Sequence, residues 1–397
     1  MTAFRYFTTD LVTGEVLADN IPLTVQSFSQ QLNGGGQLTG SLPLSEDFAV
    51  NRPYIEALEC RRAVLWVLAD DYPVWAGVIW DWPDMSRQEG TLPINAQTID
   101  SVFGKRLIIA TLEYHKVDVF QVFIDLALYG TTFQSSYITS YSPVKGPPSS
   151  LVGQQAAIAR LVFPSGPAAT AGFPYSVGYL YSDLATVQSA WQTMTQTGVL
   201  EYVFDAGLDS SGNPAIFLRL GWAQLGRGYT ETPYAVVYPG NALDYGWQRT
   251  GSQGANYIVA TAPPNGALLQ WESIYPAGVD LGDLEAGYPV LQGVVSWEGS
   301  LVTAQSQVDA FANGSLPMQT QAMITPLITI GGDGFPSLTD LVLGDTFMFA
   351  ATSPLHPPAN NQPGLQQLLR LTGWTCYPPT DQQSQRIQLQ TSAVVLS

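Results

Sequence analysis

Positive charge is scarce in this chain. Lys and Arg number 15 against 32 Asp and Glu, a formal net charge of −17. Phosphate contacts need Lys and Arg, so such a surface does not grip nucleic acid, and it offers little to an anionic membrane. Charge of either sign is low, at 12% of residues, about half the usual share. Gln, Thr, Ser and Gly fill the gap, a composition suited to a chain that hides much of its outside in an assembly. Histidine is nearly absent. His115 and His356 are too few for a metal site, which needs several ligands. Cys60 and Cys376 lie near opposite ends. Their spacing does not pair them, and the ordinary reading is two free thiols in a reducing cytoplasm. No apolar run reaches about 18 residues, so no membrane insertion is expected. No basic, apolar and cleavage-site pattern marks a signal peptide.

What is present is apolar and aromatic. Hydrophobic residues make up 46% of the chain, with 10 Trp, enough for two or three cores. Most stretches read as strands. "IPLTVQSF" and "GQLTGSLPL" flank the glycine-rich "NGGG", and "RAVLWVLADDYPVWAGVIWDWP" reads as two strands around Asp70-Asp71-Tyr72-Pro73. "TLPINAQTID" is a further strand, closed by a short helical turn over 98–105. Helical spacing appears three times. Val119, Phe120, Phe123, Ile124, Ala127 and Leu128 share a face, with Gly130 as the stop signal. Leu184, Val187, Trp191 and Met194 run between Ser182 and Gly198, and Leu301, Ala304, Val308 and Phe311 run from Ser300 to Asn313-Gly314. "LDSSGN" marks a hairpin turn. Pro, Gly, Ser and Thr mark long loops at Thr131–Pro148 and Pro164–Pro174. The expected division is an all-β unit over 1–112, a mixed unit over 113–240, and a second mainly β unit over 241–397 with an inserted helix at about 300–313. "VWAGVIWDWP" and "LLRLTGWTCYPP" form a weak echo between the first and third units.

No motif carries catalytic chemistry. A P-loop needs Gly-Lys-Ser/Thr after its glycines, where this chain has Gln37 and Leu38, and no basic residue lies between Arg5 and Arg52. A dinucleotide fingerprint needs a following helix, whereas strand follows here. Asn33-Gly34 reads as a hairpin signal, since both residues tolerate positive φ. No "GxSxG" elbow supports His115 or His356 as a general base. The acidic groups Asp70-Asp71, Glu56 with Glu59, and Asp280, Asp283 with Glu285 fit turn chemistry, and a glycosidase pair or a calcium loop would need geometry that spacing does not give. Trp66, Trp75, Trp80 and Trp82 cluster in one hairpin. They read as core or interface residues, with a sugar-stacking platform as the alternative. Trp66 has even spacing to Trp80 and Trp82 but odd spacing to Trp75, so one face does not hold all four.

The order of these pieces carries a resemblance. "TTDLVTGEVLADNIPLTVQSFSQQLNGGGQLTGSLPL", "VWAGVIWDW", "DSVFGKRLI", "VDVFQVFIDLAL", "LEYVFDAGLDSSGNPAIFLRLGW", "NALDYGWQRTGSQGANYIVATA", "LVLGDTFMFA", "LLRLTGWTCYPP" and "QRIQLQT" follow one another. Over nearly the whole chain this resembles the minor tail proteins of siphophages of actinobacteria, tail-hub proteins related to the central baseplate hub of contractile tails. The resemblance implies a mainly β fold with a few helices (α+β): two β-barrel-like domains plus a mixed α/β connecting domain. It implies a homotrimer whose six barrels form a ring around a DNA and tape-measure channel. The ring would join the distal tail protein and tail tube to a tip fibre or spike. It would sit at the distal end of the virion tail after synthesis in the host cytoplasm, with the genome passing unbound. A carbohydrate-binding or cell-wall-degrading tip protein is the alternative. The expectation is no enzyme activity, no lytic domain, and no catalytic, cofactor or metal residues. Gly34, Gly35 and Gly36 would be turn glycines, Gly344-Asp345 a tight turn before a barrel strand, and Asn256 a strand start.

Overall fold

The computed structural model describes residues 2–83, 90–141, 157–196, 200–222, 224–250, 255–262, 271–296, 305–320, 323–359 and 362–394. The chain forms two compact units, Met1–Tyr245 with Ile328–Ser397, and Gly246–Leu327. This division differs from the three consecutive segments read from sequence, because the chain leaves the first unit and returns to it. The fold is mainly β with a few helices.

The first unit begins with β1 (Phe4–Asp10), β2 (Val16–Ala18), β3 (Thr24–Gln31), β4 (Gln37–Pro43), α1 (Phe48–Ala57), β5 (Ala63–Ala69), β6 (Tyr72–Asp81), β7 (Thr91–Thr98) and α2 (Asp100–Phe103). Its strands run in the spatial order β3-β4-β7-β6-β5-β1-β2, antiparallel throughout. The β5–β6 turn is tight because Asp70 (φ 48°) and Asp71 (φ 64°) both take the left-handed conformation, as a two-residue hairpin loop demands. Alternation along β4 and β7 points Leu38, Leu42, Leu92, Ile94 and Ala96 inward.

A mixed section follows. It contains β8 (Ala110–Asp118), α3 (Val119–Thr132), β9 (Ile138–Tyr141), β10 (Leu161–Val162), β11 (Pro174–Tyr179), α4 (Val187–Gln196), β12 (Glu201–Leu208) and β13 (Pro214–Gly221). β11-β8-β9 and β10-β13-β12 are separate three-stranded sheets. The helix α3 starts at an Asp118 cap, whose carboxylate accepts from the Phe120 N–H at 3.0 Å. It passes through Gly130 and ends at Phe133, φ 55°. Gly130 is therefore no stop signal. A Cβ there would lie 2.8 Å from the Phe103 ring, so the missing side chain lets the helix pack closely. The helix α4 starts at Thr186, whose hydroxyl accepts from the Ser189 N–H while the Ser189 hydroxyl accepts from the Thr186 N–H, each at 3.0 Å. Leu184, expected on its apolar face, precedes it with φ 53° and is 44% exposed. The part of the 131–148 loop beyond Tyr141 lies outside the described residues.

The remaining strands are β14 (Ala235–Tyr238), β15 (Ala242–Thr250), β16 (Tyr257–Ala262), β17 (Trp271–Glu272), β18 (Gln292–Ser296), β19 (Met323–Gly331), β20 (Thr346–Ala351), β21 (Leu365–Tyr377) and β22 (Arg386–Ala393), with helices α5 (Leu281–Glu285) and α6 (Gln305–Thr320). β15, β19, β22 and β21 continue the first sheet through a β21–β3 pair, giving 13 strands with β14 and β20 beside them. The second unit is the three-stranded sheet β17-β16-β18 with α6 against it. α6 runs past Asn313-Gly314 to Thr320, and its expected first residues, 301–304, lie outside the described residues.

The main core joins the first sheet to the mixed section. Trp66, Val78, Phe103, Phe123, Trp191 and Tyr202 belong to one buried cluster. Trp191 sits 4.6 Å from Phe103 and 4.5 Å from Phe123, ring centroid to ring centroid. Truncating a fully enclosed aromatic leaves a cavity and loses its dispersion contacts. Trp191→Ala is expected to cost about 3–5 kcal/mol, read as a lower urea midpoint.

Candidate functional site

The glycine-rich stretch forms one wall of a polar cleft. Asn33 takes the left-handed conformation, φ 58°. Its side-chain oxygen accepts from the Tyr202 N–H at 2.8 Å and its own N–H donates to the Tyr202 carbonyl at 3.0 Å, docking the turn on β12. None of the three glycines after it has positive φ, and Gly35 and Gly36 are there for close approach. A Cβ on Gly36 would lie 1.8 Å from the Ser29 carbonyl, and one on Gly35 would lie 2.7 Å from Asp100 Oδ2.

The cleft holds about 500 Å³ and is lined by β3, β4, the end of β7, α2 and α4. Lys105 and Gln188 line it alongside Gly35 and Gly36, so the fold brings a basic residue to glycines that have none nearby in sequence. A phosphate cradle still does not result. The Gly36 N–H donates to the Thr98 hydroxyl at 2.7 Å and the Gln37 N–H to the Ser29 hydroxyl at 3.1 Å. Asp100 on the floor repels an anion.

Asp100 is 2% exposed. Burial pushes its carboxyl up to about 6, against the opposing hydrogen bonds of Thr98, the α2 backbone and Gln188. The Thr98 hydroxyl donates to Oδ1 at 2.6 Å, and the Gln188 amide reaches Oδ2 at 3.4 Å.

Two partly buried ion pairs form a second charged feature within the first unit. Arg370 on β21 makes a forked pair with Glu201 on β12, one arm at 2.7 Å, and donates to the carbonyls of Leu225 (3.0 Å) and Gly344 (3.2 Å). Arg227 pairs with the fully buried Asp345, which also accepts from the Arg227 N–H at 2.8 Å. Gly226 and Gly344, both φ 93°, lie back to back between these pairs. A Cβ on either would fall 2.1 Å from the other strand's backbone. Gly344-Asp345 thus forms the turn before β20 and also holds the carboxylate that Arg227 meets.

The other sequence candidates stay apart. His115 is exposed, with Nε2 3.6 Å from Glu113. His356 Nδ1 lies 3.0 Å from the Tyr245 hydroxyl, itself 2.6 Å from Ser353 Oγ. Asp70 and Asp71 are turn residues, and Glu56 pairs with Arg52 at 2.7 Å. Asp280 lies just before α5, which contains Asp283 and Glu285. No cluster of three metal-ligating His, Cys, Asp or Glu occurs among the described residues. Among those residues no helix is long and apolar enough to cross a membrane. Cys60 is half-buried and Cys376 buried, both free thiols, and burial pushes Cys376 up to about 12. Trp66 and Trp75 are enclosed. Trp80 and Trp82 are half-buried and spend their indole N–H groups on Ser101 Oγ (2.8 Å) and the Leu58 carbonyl (3.1 Å). Asn256, expected only to start a strand, is a clamp just before β16. Its amide donates to the Pro289 carbonyl at 2.9 Å and accepts from the Leu291 N–H at 2.8 Å.

Two measurements test these charges. A carboxyl near 6 in the folded chain and about 3.9 unfolded contributes stability that is full at low pH and lost as pH rises through 6. Asp100→Asn removes that loss, worth roughly 3 kcal/mol, so the variant is expected to be more stable than wild type in urea at pH 8 and to lose this advantage near pH 4. Arg370→Met strands a buried carboxylate and is expected to cost about 3–5 kcal/mol. Pairing it with Glu201→Leu is expected to restore most of that in the same urea assay.

No family model matches the chain, and no curated protein matches it in sequence. Solved structures do match in fold. A tail protein from Neisseria meningitidis MC58 aligns over 98% of this chain and 96% of its own, with 12% identity and a TM-score of 0.56. The 43 kDa tail protein of prophage MuSo2 from Shewanella oneidensis aligns over 98% of each chain, with 10% identity and a TM-score of 0.55. A chain of the Francisella PdpA–VgrG complex aligns over 99% of this chain but 53% of its own, with 8% identity and a TM-score of 0.53. The correspondence along nearly the whole length of two tail proteins gives one result: this chain shares their fold.

Proposed function

We propose that this protein is the structural hub at the distal end of a bacteriophage tail, with no catalytic role. In this reading three copies close into a ring around the channel for the genome and tape-measure protein, joined to the tail tube and distal tail protein above and to a fibre or spike below. The observation that carries it is the match in fold along nearly the whole length of two tail proteins, one of them from a prophage. The Francisella chain is solved within a PdpA–VgrG complex, which supports a part that works inside an assembly.

The sheet supports the reading in a second way. Strands β1 to β7 form one run and β14, β15 and β19 to β22 another, joined through β3 and β21. In this reading the two runs are the two barrel-like domains of each chain, and three chains supply six. Cyclic closure stops growth after three subunits and covers exposed strand edges. The contact material is aliphatic more than aromatic. Trp66, Trp75 and Trp191 are enclosed, whereas Ile274, Val290 and Val294 of the second unit are 60%, 57% and 69% exposed. With a net charge of −17, an acidic lumen lets a polyanion pass without adhering.

A virion map tests the proposal directly. Three copies around the axis at the tail tip are expected. A location along the tube or in the capsid, or a channel lined by Lys and Arg, overturns it. Light scattering on the assembled ring is expected to give three times 42.9 kDa, about 129 kDa, consistent with a closed trimer.

A further inference from the structure

Three aspartates are buried among the described residues: Asp10, Asp100 and Asp345. Two of them meet an arginine. Arg62 Nε lies 2.7 Å from Asp10, and the Arg227 guanidinium contacts Asp345. Burial works to raise the Asp10 carboxyl, but Arg62 and the N–H groups of Thr13 and Val12 outweigh it. Asp100 is the exception. Its partners are neutral: the Thr98 hydroxyl on Oδ1, the α2 backbone, and the Gln188 amide at 3.4 Å from Oδ2.

Asp100 also differs in having space beside it. Gly35 packs closely against Oδ2, where a Cβ would lie 2.7 Å away, and both residues line the cleft, whose volume of about 500 Å³ falls in the range of small-ligand sites. The rim carries the amides of Gln31, Gln37, Gln97 and Gln188. A neutral polyol seated there leaves the carboxylate charge uncompensated, and an anion meets it with repulsion. A planar guanidinium suits the site. It directs two N–H groups at a carboxylate and has further donors for amide oxygens.

We propose that this cleft is a receptor for a guanidinium or ammonium group, carried by a basic side chain or a free organic cation, seated on Asp100 Oδ2 and ringed by glutamine amides. Lys105 stands exposed on the rim. Its charge opposes an incoming cation and limits affinity, so its removal strengthens binding. Occupancy of Asp100 does not require a place in a tail, so failure of the hub reading and failure of this one are read separately.

The probe is agmatine, titrated into the full chain by calorimetry, with inorganic phosphate and glucose in parallel. Saturable uptake of one agmatine per chain is expected, weakened by about tenfold or more in Asp100→Asn through loss of the charge-assisted bonds. Binding by Lys105→Gln is expected to be tighter than wild type. Mass measured during the titration separates the sources. If agmatine breaks an oligomer into single chains, the natural occupant is a side chain of a second copy. If mass is unchanged, the occupant is a free cation or another protein's side chain. Absence of saturable uptake by wild type, equal affinity in Asp100→Asn, or uptake of phosphate or glucose in place of agmatine overturns the proposal.

Discussion

A short antiparallel ladder, Phe28–Gln31 against Gly373–Cys376, turns two runs of strands into one sheet. The partners come from opposite ends of the sequence, so closing the ladder carries a loop entropy cost that local pairing does not. Packing around it offsets that cost. Phe28 and Trp374 meet edge to face, with centroids 5.7 Å apart, and Trp75 Nε1 donates to the Ser29 carbonyl at 2.8 Å. Two glycines make room. A Cβ on Gly36 would overlap the Ser29 carbonyl, and one on Gly373 would press the Gln30 carbonyl at 3.0 Å. Without this junction the first run has no partner on the β3 side.

Charge is used sparingly, and several arginines are paired with acids. Arginines in the middle of apolar strands, in "FLRLGW" and "LLRLTGW", each face an acid on β12: Arg219 meets Asp205, and Arg370 meets Glu201. A buried pair of this kind adds little over an apolar pair of equal shape, yet breaking it is costly. Its effect is therefore on register. The Arg219–Asp205 pair spans the β12–β13 ladder and favours its register, and the Arg370–Glu201 pair holds β21 against β12 of a separate sheet. Asp100 stands outside this pattern, which is why the cleft beside it reads as a receiving site and the ion-paired seam does not.

Much of the fold was legible in the sequence because its cues are local. The Asp70-Asp71 turn, the Asp209–Asn213 turn and the alternation of β4 and β7 each follow from residues within a few positions of one another. Helix ends were less legible. Gly130 resembles a stop, but the neighbouring Phe103 ring decides its use, and Thr186 displaces Ser182 as the cap. The candidate site was the least legible part. Gly35, Asp100, Lys105 and Gln188 meet only after β3, β4, β7 and two helices are in place, and no spacing rule joins them. The one available signal was the arginine embedded in each of two apolar strands, which predicts a buried acid without saying which.

The second unit follows a different physical rule. Its buried cluster is Ala260, Ala262, Ala277, Val308 and Ala312, with Val295 and Phe311 partly covered. Alanine buries little area, so the transfer term that stabilises the larger unit is small here. Order comes mainly from hydrogen bonds, above all the Asn256 clamp on the 289–291 segment and the parallel β16–β18 pair. Meanwhile Tyr275 and Val294 remain 64% and 69% exposed. Exposed apolar residues of this kind gain from being covered.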